Sequence, residues 1–172
     1  YGYIIRKFVD EESADGPVMY LRLLKTDGKI SNVPLAEKCR IDGSMKKEAD
    51  KQEDAIELGV VDDNSRVIRY ELDEESRIKA IDTEYCSDSE PEEATLKPLR
   101  KINGTAITYK AIGTFNEQLC VDKDNTIVFV INPDNTVSES EKYRVMNTSF
   151  FSNDKDYDIN AYTSNDSYVA DA

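Results

Sequence analysis

The sequence predicts an all-β chain: two small antiparallel subdomains, barrel- or sandwich-like, with one short helix. Three observations carry this. Apolar residues recur with period two, as where Ile68, Tyr70 and Leu72 alternate with Arg69 and Glu71, the pattern of a half-buried strand. Turn formers return at intervals of roughly 8–12 residues, the spacing of small sandwiches and barrels. No run of helices alternates with the strands, so a parallel α/β sheet is not expected.

The elements follow in order. Residues 3–9 form a first strand, 10–17 an acidic loop ending in Gly16-Pro17, and 18–25 a second strand. Asp27-Gly28 predicts a two-residue type I′ turn, because glycine tolerates the positive φ that turn requires. Residues 29–35 return, with Pro34 marking a sheet edge or strand end, and 39–41 add a short strand. Residues 44–58 read as a helix capped by Ser44 and stopped by Gly59. Met45, Ala49, Gln52 and Ile56 fall near one stripe of it. Residues 60–82 form a hairpin turning at Asp73-Glu74-Glu75-Ser76.

Residues 87–93, Ser-Asp-Ser-Glu-Pro-Glu-Glu, hold a proline and no apolar side chain. They predict a linker over 87–96 between subdomains 1–86 and 97–172. Beyond it, strands are expected at 99–102, 106–112, 118–121, 126–131, 143–148 and 156–162, with a polar loop at 137–142 and the start of a further strand at 168–170. The run Thr126-Ile-Val-Phe-Val-Ile131, between two Asp/Asn turns, reads as a strand buried on both faces.

Composition narrows the function. Lys and Arg number 22 and Asp and Glu 35 in 172 residues, a formal charge of −13. Such a surface repels phosphate backbones and anionic membranes, so neither nucleic acid nor a membrane is an expected partner. No stretch has the length and apolarity of a membrane-spanning helix. The absence of histidine removes histidine-based triads and histidine-ligated metals. Cys39, Cys86 and Cys120 are widely spaced and make no Cys-X-X-Cys pair, so no zinc or redox motif is read from them. The chain opens on Tyr1 without a signal peptide and is read as a segment of a larger protein.

Five patterns bear on chemistry. Ser44-Met-Lys-Lys47 fits Ser-X-X-Lys, the nucleophile motif of penicillin-binding proteins. Its companion elements are missing, since Ser164-Asn-Asp166 has the wrong order and Lys25-Thr-Asp-Gly28 an inserted aspartate; helix capping accounts for Ser44. Paired carboxylates could serve acid–base chemistry, but a solvated acidic surface explains them. Asp122-Lys-Asp-Asn-Thr126 and Asp154-Lys-Asp-Tyr-Asp158 offer alternating oxygen ligands without the glycine and glutamate of an EF-hand loop; weak calcium binding is the furthest they reach. Ten tyrosines suit either a glycan platform or ordinary strand packing. Asn103-Gly-Thr105, Asn147-Thr-Ser149 and Asn165-Asp-Ser167 match the N-glycosylation sequon, as chance allows in a chain rich in Asn, Ser and Thr.

Several segments taken in order carry a resemblance. They are Tyr20-Leu-Arg-Leu-Leu-Lys-Thr-Asp-Gly-Lys-Ile30, Leu35-Ala-Glu-Lys38 with Ile41-Asp-Gly43, Val67-Ile-Arg-Tyr-Glu-Leu72 with Ile78-Lys-Ala-Ile-Asp-Thr83, Thr126-Ile-Val-Phe-Val-Ile131, Tyr143-Arg-Val145, and Phe151-Ser-Asn-Asp-Lys-Asp-Tyr157 leading to Ala161-Tyr162. Together they resemble the β-rich modules of clostridial and related surface proteins that carry S-layer homology domains. The resemblance implies an extracellular, cell-wall or S-layer setting, with envelope components or other surface proteins as partners. It supplies no catalytic, metal or cofactor residues, and none is assigned. The expected function is a non-enzymatic structural, spacer or assembly module. A glycan- or protein-binding adhesion module is the alternative, and a hydrolase with a carboxylate pair ranks third.

Overall fold

A computed structural model describes residues 1–14, 16–60, 66–83, 99–115, 119–164 and 169–172, with the side chains of 58, 59, 99–106 and 164 left aside. The chain is all-β with one helix of length. It divides into two compact units, Tyr1–Lys25 with Lys29–Leu99, and Arg100–Ala172 with the turn Thr26–Gly28. The linker predicted at 87–96 lies outside the described residues.

Unit 1 contains β1 (Gly2–Asp10), β2 (Val18–Lys25), β3 (Ile30–Ile41), β4 (Ser44–Lys46), helix α1 (Ala49–Gly59), β5 (Val67–Leu72) and β6 (Ile78–Asp82). β1 pairs with β2, β2 with β3, β3 with β6, β6 with β5, and β5 with β1. The ring is therefore closed, and β4 folds back on the end of β3. The β3–β6 pairing is parallel and the others antiparallel. This is the connectivity of an OB-type Greek-key barrel. Alternation along the strands sends Met19, Leu21, Leu23, Ile68, Ile78 and Ile81 inward, each at most 1% exposed. Side chains so buried contribute about 1.5–3 kcal/mol each.

A closed five-strand ring needs bent strands, and the sequence supplies the bends. β1 shifts register between Ile4 and Arg6, and Arg66 donates from its guanidinium to the Ile5 carbonyl at 3.1 Å. β3 trades partners along its length. Residues 30–34 pair with β2, then Leu35 and residues 40–41 pair with β6 across a register shift. Pro34 is where the pairing with β2 ends, so it marks the end of that pairing rather than of the strand. The strands expected at 29–35 and 39–41 are thus one bent strand.

At the bend, carbonyls leave the ladder and need donors. Gln52 of α1 provides them: its Nε2 donates to the carbonyls of Ala36 at 3.0 Å, Glu37 at 3.3 Å and Lys46 at 3.4 Å. This explains a glutamine only 3% exposed. Ile56 of the same face enters the core, with Ala49 and Ala55 beside it. Lys7 of β1 pairs with Glu53 at 3.1 Å and with Glu57, fixing the outer flank of the helix.

Three local expectations are corrected. The β2–β3 loop has three residues, not two: Lys25 N–H donates to the Lys29 carbonyl at 2.9 Å and only Gly28 is left-handed, at φ 79°. The type I′ turn lies instead at Asp42-Gly43, where both φ values are positive, 46° and 83°, and it joins β3 to β4. Because this hairpin takes up Ser44, the helix starts at Ala49 with Glu48 in the N-cap position, and Met45 is 50% exposed on β4.

Unit 2 contains β7 (Leu99–Lys110), β8 (Thr114–Phe115), β9 (Leu119–Val121), β10 (Val128–Ile131), helix α2 (Glu139–Lys142), β11 (Tyr143–Met146), the 3₁₀ turn η1 (Thr148–Phe150), β12 (Asp156–Ser164) and β13 (Val169–Ala170). The sheet order is β12-β7-β8-β9-β13, with β13 parallel to β9. The backbone of Tyr162 in β12 also bonds to Asp171 and Ala172, just past β13, so the two ends of this sheet meet. The connectivity repeats that of unit 1: a three-strand meander, an inserted segment, then two strands, the last parallel to the third. The insert is β4 with helix α1 in unit 1 and the β10–β11 ribbon with α2 and η1 in unit 2.

The core of unit 2 is aromatic. Phe115 is buried and meets Phe151 edge-on at 4.9 Å, with Tyr109, Phe150 and Tyr157 in the same cluster. Ala161 and Ala170 leave room for these rings. Strands expected at 99–102 and 106–112 are one strand, β7, and Ile112 sits in the turn after it, 82% exposed. The expectation that 126–131 is buried on both faces is also corrected. β10 pairs with β11 in a two-stranded ribbon, and only Val128 of the strand is buried. The polar stretch at 137–142 contains α2, opened by a capping box of Ser138 and Glu141.

Candidate functional site

The outer face of the β1–β2–β3 meander carries the most distinctive surface grouping among the described residues. Period-two alternation that buries Met19, Leu21 and Val33 turns Phe8, Tyr20, Arg22, Asn32 and Pro34 outward. Register sets Arg6 opposite Arg22, Phe8 opposite Tyr20, Tyr20 opposite Pro34 and Arg22 opposite Asn32. The Phe8 and Tyr20 rings stack at 5.3 Å with 7° between planes. The exposed Arg6 guanidinium lies 5.1 Å over Phe8, a cation–π contact, and Arg22 donates to Asn32 Oδ1 at 3.0 Å. Two arginines and two stacked rings on one face stand out in a chain of charge −13.

The acids do a different job. Asp73 Oδ1 accepts the N–H groups of Glu75 and Arg77 at 2.9 and 2.8 Å, and Oδ2 accepts from Arg77 Nε at 2.8 Å. The same i to i+2 turn recurs at Asp10, Asp122, Asn132, Asp134 and Asn147. Such side-chain turns explain why Asp and Asn fill loops. Hydrogen bonds donated by the turns hold the carboxyls of Asp73, Asp122 and Asp134 below their ordinary range.

Both candidate calcium segments are occupied by this work. Asp122 spends one oxygen on Asp124 N–H and the other on Asn125 Nδ2, at 2.9 and 2.7 Å. In the second segment Asp154 pairs with Lys110 at 2.7 Å and Asp156 accepts from Thr108 at 2.6 Å. Among the described residues no three His, Cys, Asp or Glu side chains gather in metal-binding geometry. A largely buried ion pair joins Arg69 and Asp82 at 2.7 Å across β5 and β6.

Asp42 shifts the other way from Asp73, Asp122 and Asp134. Burial pushes it up, although Thr83 opposes this by donating both its N–H and its hydroxyl at 2.6 Å. That pair ties the β3–β4 turn to the end of β6. Ser44 and Lys47 are not one helical turn apart, since Ser44 is an exposed strand residue opposite Ile41. A lysine-activated serine therefore has no helix to position it. Burial pushes the Cys39 thiol up to about 12, which keeps it protonated and unreactive; Cys120 is free and half-buried, and Cys86 lies outside the described residues.

None of the eight described tyrosines is fully exposed; they serve as strand and core residues, as at Tyr109, Tyr157 and Tyr162. Sequence reading missed the β1–β3 face because its members are 28 residues apart from Arg6 to Pro34 and only register joins them. The signal available was Arg6-X-Phe8 and Tyr20-X-Arg22, two strands with the same outward pairing. No helix among the described residues is long and apolar enough to cross a membrane. Comparison with protein-family models, curated proteins and solved structures gave no match, so the resemblance to S-layer-associated modules rests on its sequence segments alone.

Proposed function

We propose that this chain is a non-enzymatic structural and assembly module of a bacterial surface protein. The observation that supports this reading most is the use of its acids: loop carboxylates are tied into turns that stiffen the connections of two ring-closed β units. Acidic side chains used this way give a soluble, rigid body. The test is fractionation of cells producing the full-length gene product. Sedimentation with washed cell walls, and removal by protease added to intact cells, are expected. Retention in the cytosol until lysis would refute the surface setting, and turnover in an esterase, β-lactam or glycosidase panel would refute the non-enzymatic reading.

A second reading, an adhesion module, is favoured by the Arg6–Phe8–Tyr20–Arg22–Asn32 face. Arginine and aromatic rings together suit a carboxylate-bearing polysaccharide, whose sugar faces stack and whose charges pair. Retention on immobilised polygalacturonate that Arg6→Glu and Tyr20→Ala abolish would support it. Retention unchanged by both substitutions, or none at low salt, would exclude it.

A further inference from the structure

The three sequons differ in what the structure places around them. Side chains of Asn103 and Asn165 fall outside those described. Asn147 follows β11, is exposed, and forms the N-cap of η1. Its Oδ1 accepts the Ser149 N–H at 3.0 Å and also the Ser149 hydroxyl. All the bonds of this side chain are to Oδ1, so Nδ2 donates to no described residue. Thr148 between them is buried, and the two bonds from Ser149 to Oδ1 tie the sequon into a turn on an exposed asparagine.

We propose that Asn147 is an acceptor for an N-linked sugar, an inference that rests on the surface reading above because the modification belongs to exported chains. The chemistry suits the geometry. A hydroxyl hydrogen bond to Oδ1 draws electron density toward oxygen and loosens an Nδ2 proton. Nδ2 attacks the anomeric carbon of a sugar carried on a lipid-linked diphosphate, with a transferase supplying the base. The C–N bond forms, the C–O bond to diphosphate breaks, the lipid diphosphate leaves, and the proton passes to the base. Oδ1 keeps both of its hydrogen bonds afterwards, so the sugar does not cost the turn its cap. The half-exposed Met146 and exposed Ser149 leave the approach open.

The test separates acceptor competence from native location. The full chain, translated behind an export signal into sealed microsomes, should gain a glycosidase-sensitive mass that peptide mapping places at Asn147. Asn147→Gln and Ser149→Ala should remove that mass, Ser149→Thr should keep it, and Asn103→Gln with Asn165→Gln should leave it unchanged. A lumenal, protease-protected chain with Asn147 unmodified overturns the proposal, as does sugar confined to Asn103 or Asn165. Failure of the surface reading would appear in the cell fractionation and leave the microsome result unaffected.

Discussion

Replacing Gln52 tests how the barrel of unit 1 tolerates its own bend. Two N–H donors of Nε2 serve three carbonyls, one of them buried, on a side chain 3% exposed. Gln52→Leu keeps the volume and removes the donors. Losing two net hydrogen bonds costs about 1–3 kcal/mol, and a carbonyl left dry adds up to a similar amount, so roughly 3 kcal/mol is expected. Gln52→Glu is worse at neutral pH. An ionised carboxylate facing three carbonyls is an unpaired buried charge, costing about 3–5 kcal/mol. Its folded-state pKa is then raised above the unfolded value, so the deficit shrinks as pH falls, when the protonated acid donates one hydrogen bond. The assay is urea denaturation followed by circular dichroism at pH 7 and pH 5, with hydrogen exchange on peptides from 30–41 to isolate this unit. Wild-type stability of Gln52→Leu, or a Gln52→Glu deficit independent of pH, would show that the bend finds its donors elsewhere.

Other outcomes follow from single contacts. Gly113 holds φ 84° with its Cβ position 3.2 Å from the Val121 carbonyl; Gly113→Ala should cost about 1–3 kcal/mol of unit 2 stability in urea. Asp42 is raised by burial, so its ionisation disfavours the fold: its contribution is fully present below the unfolded carboxyl range and is lost as pH rises through the folded value. Asp42→Asn should therefore gain on the wild type between pH 3 and pH 7, and a pH-independent gap in paired urea melts would contradict this. Asp82→Asn strands the largely buried Arg69 and should cost about 3–5 kcal/mol, with Arg69→Met plus Asp82→Leu costing less by the same melts. Under native conditions a thiol reagent should modify Cys120 well before Cys39, read by peptide mass.

The sequence disclosed what depends on local chemistry. Alternation at Ile68, Tyr70 and Leu72, the stripe through Gln52 and Ile56, and most hairpin returns are visible because strand period and turn residues are local signals. Ring closure is not, since β1 pairs with β5 and β3 with β6 at separations no periodicity encodes. Ser44 was misread because Ser-X-X-Lys-Glu before an apolar stripe is a good helix start, and only the preceding Asp42-Gly43 turn diverts it into β4. Ser138-Glu-Ser-Glu141 held a capping-box signal that polarity masked. The run at 126–131 misled because β propensity reports fit to a pleated surface, not how many neighbours the strand will have. Of the Arg6–Phe8–Tyr20–Arg22–Asn32 face, only the halves Arg6-X-Phe8 and Tyr20-X-Arg22 are visible in the sequence; strand register joins them.

In both units the strand that comes last, β6 or β13, lies parallel to the third and beside the strand that precedes it, β5 or β12. Each circle of hydrogen bonds is thus sealed by its own final segment, after every other strand has been made. During synthesis an incomplete unit must wait with open edges, exposed to neighbours. Closure is thereby the most non-local step of each unit, and pairing across such separations is intrinsically slow.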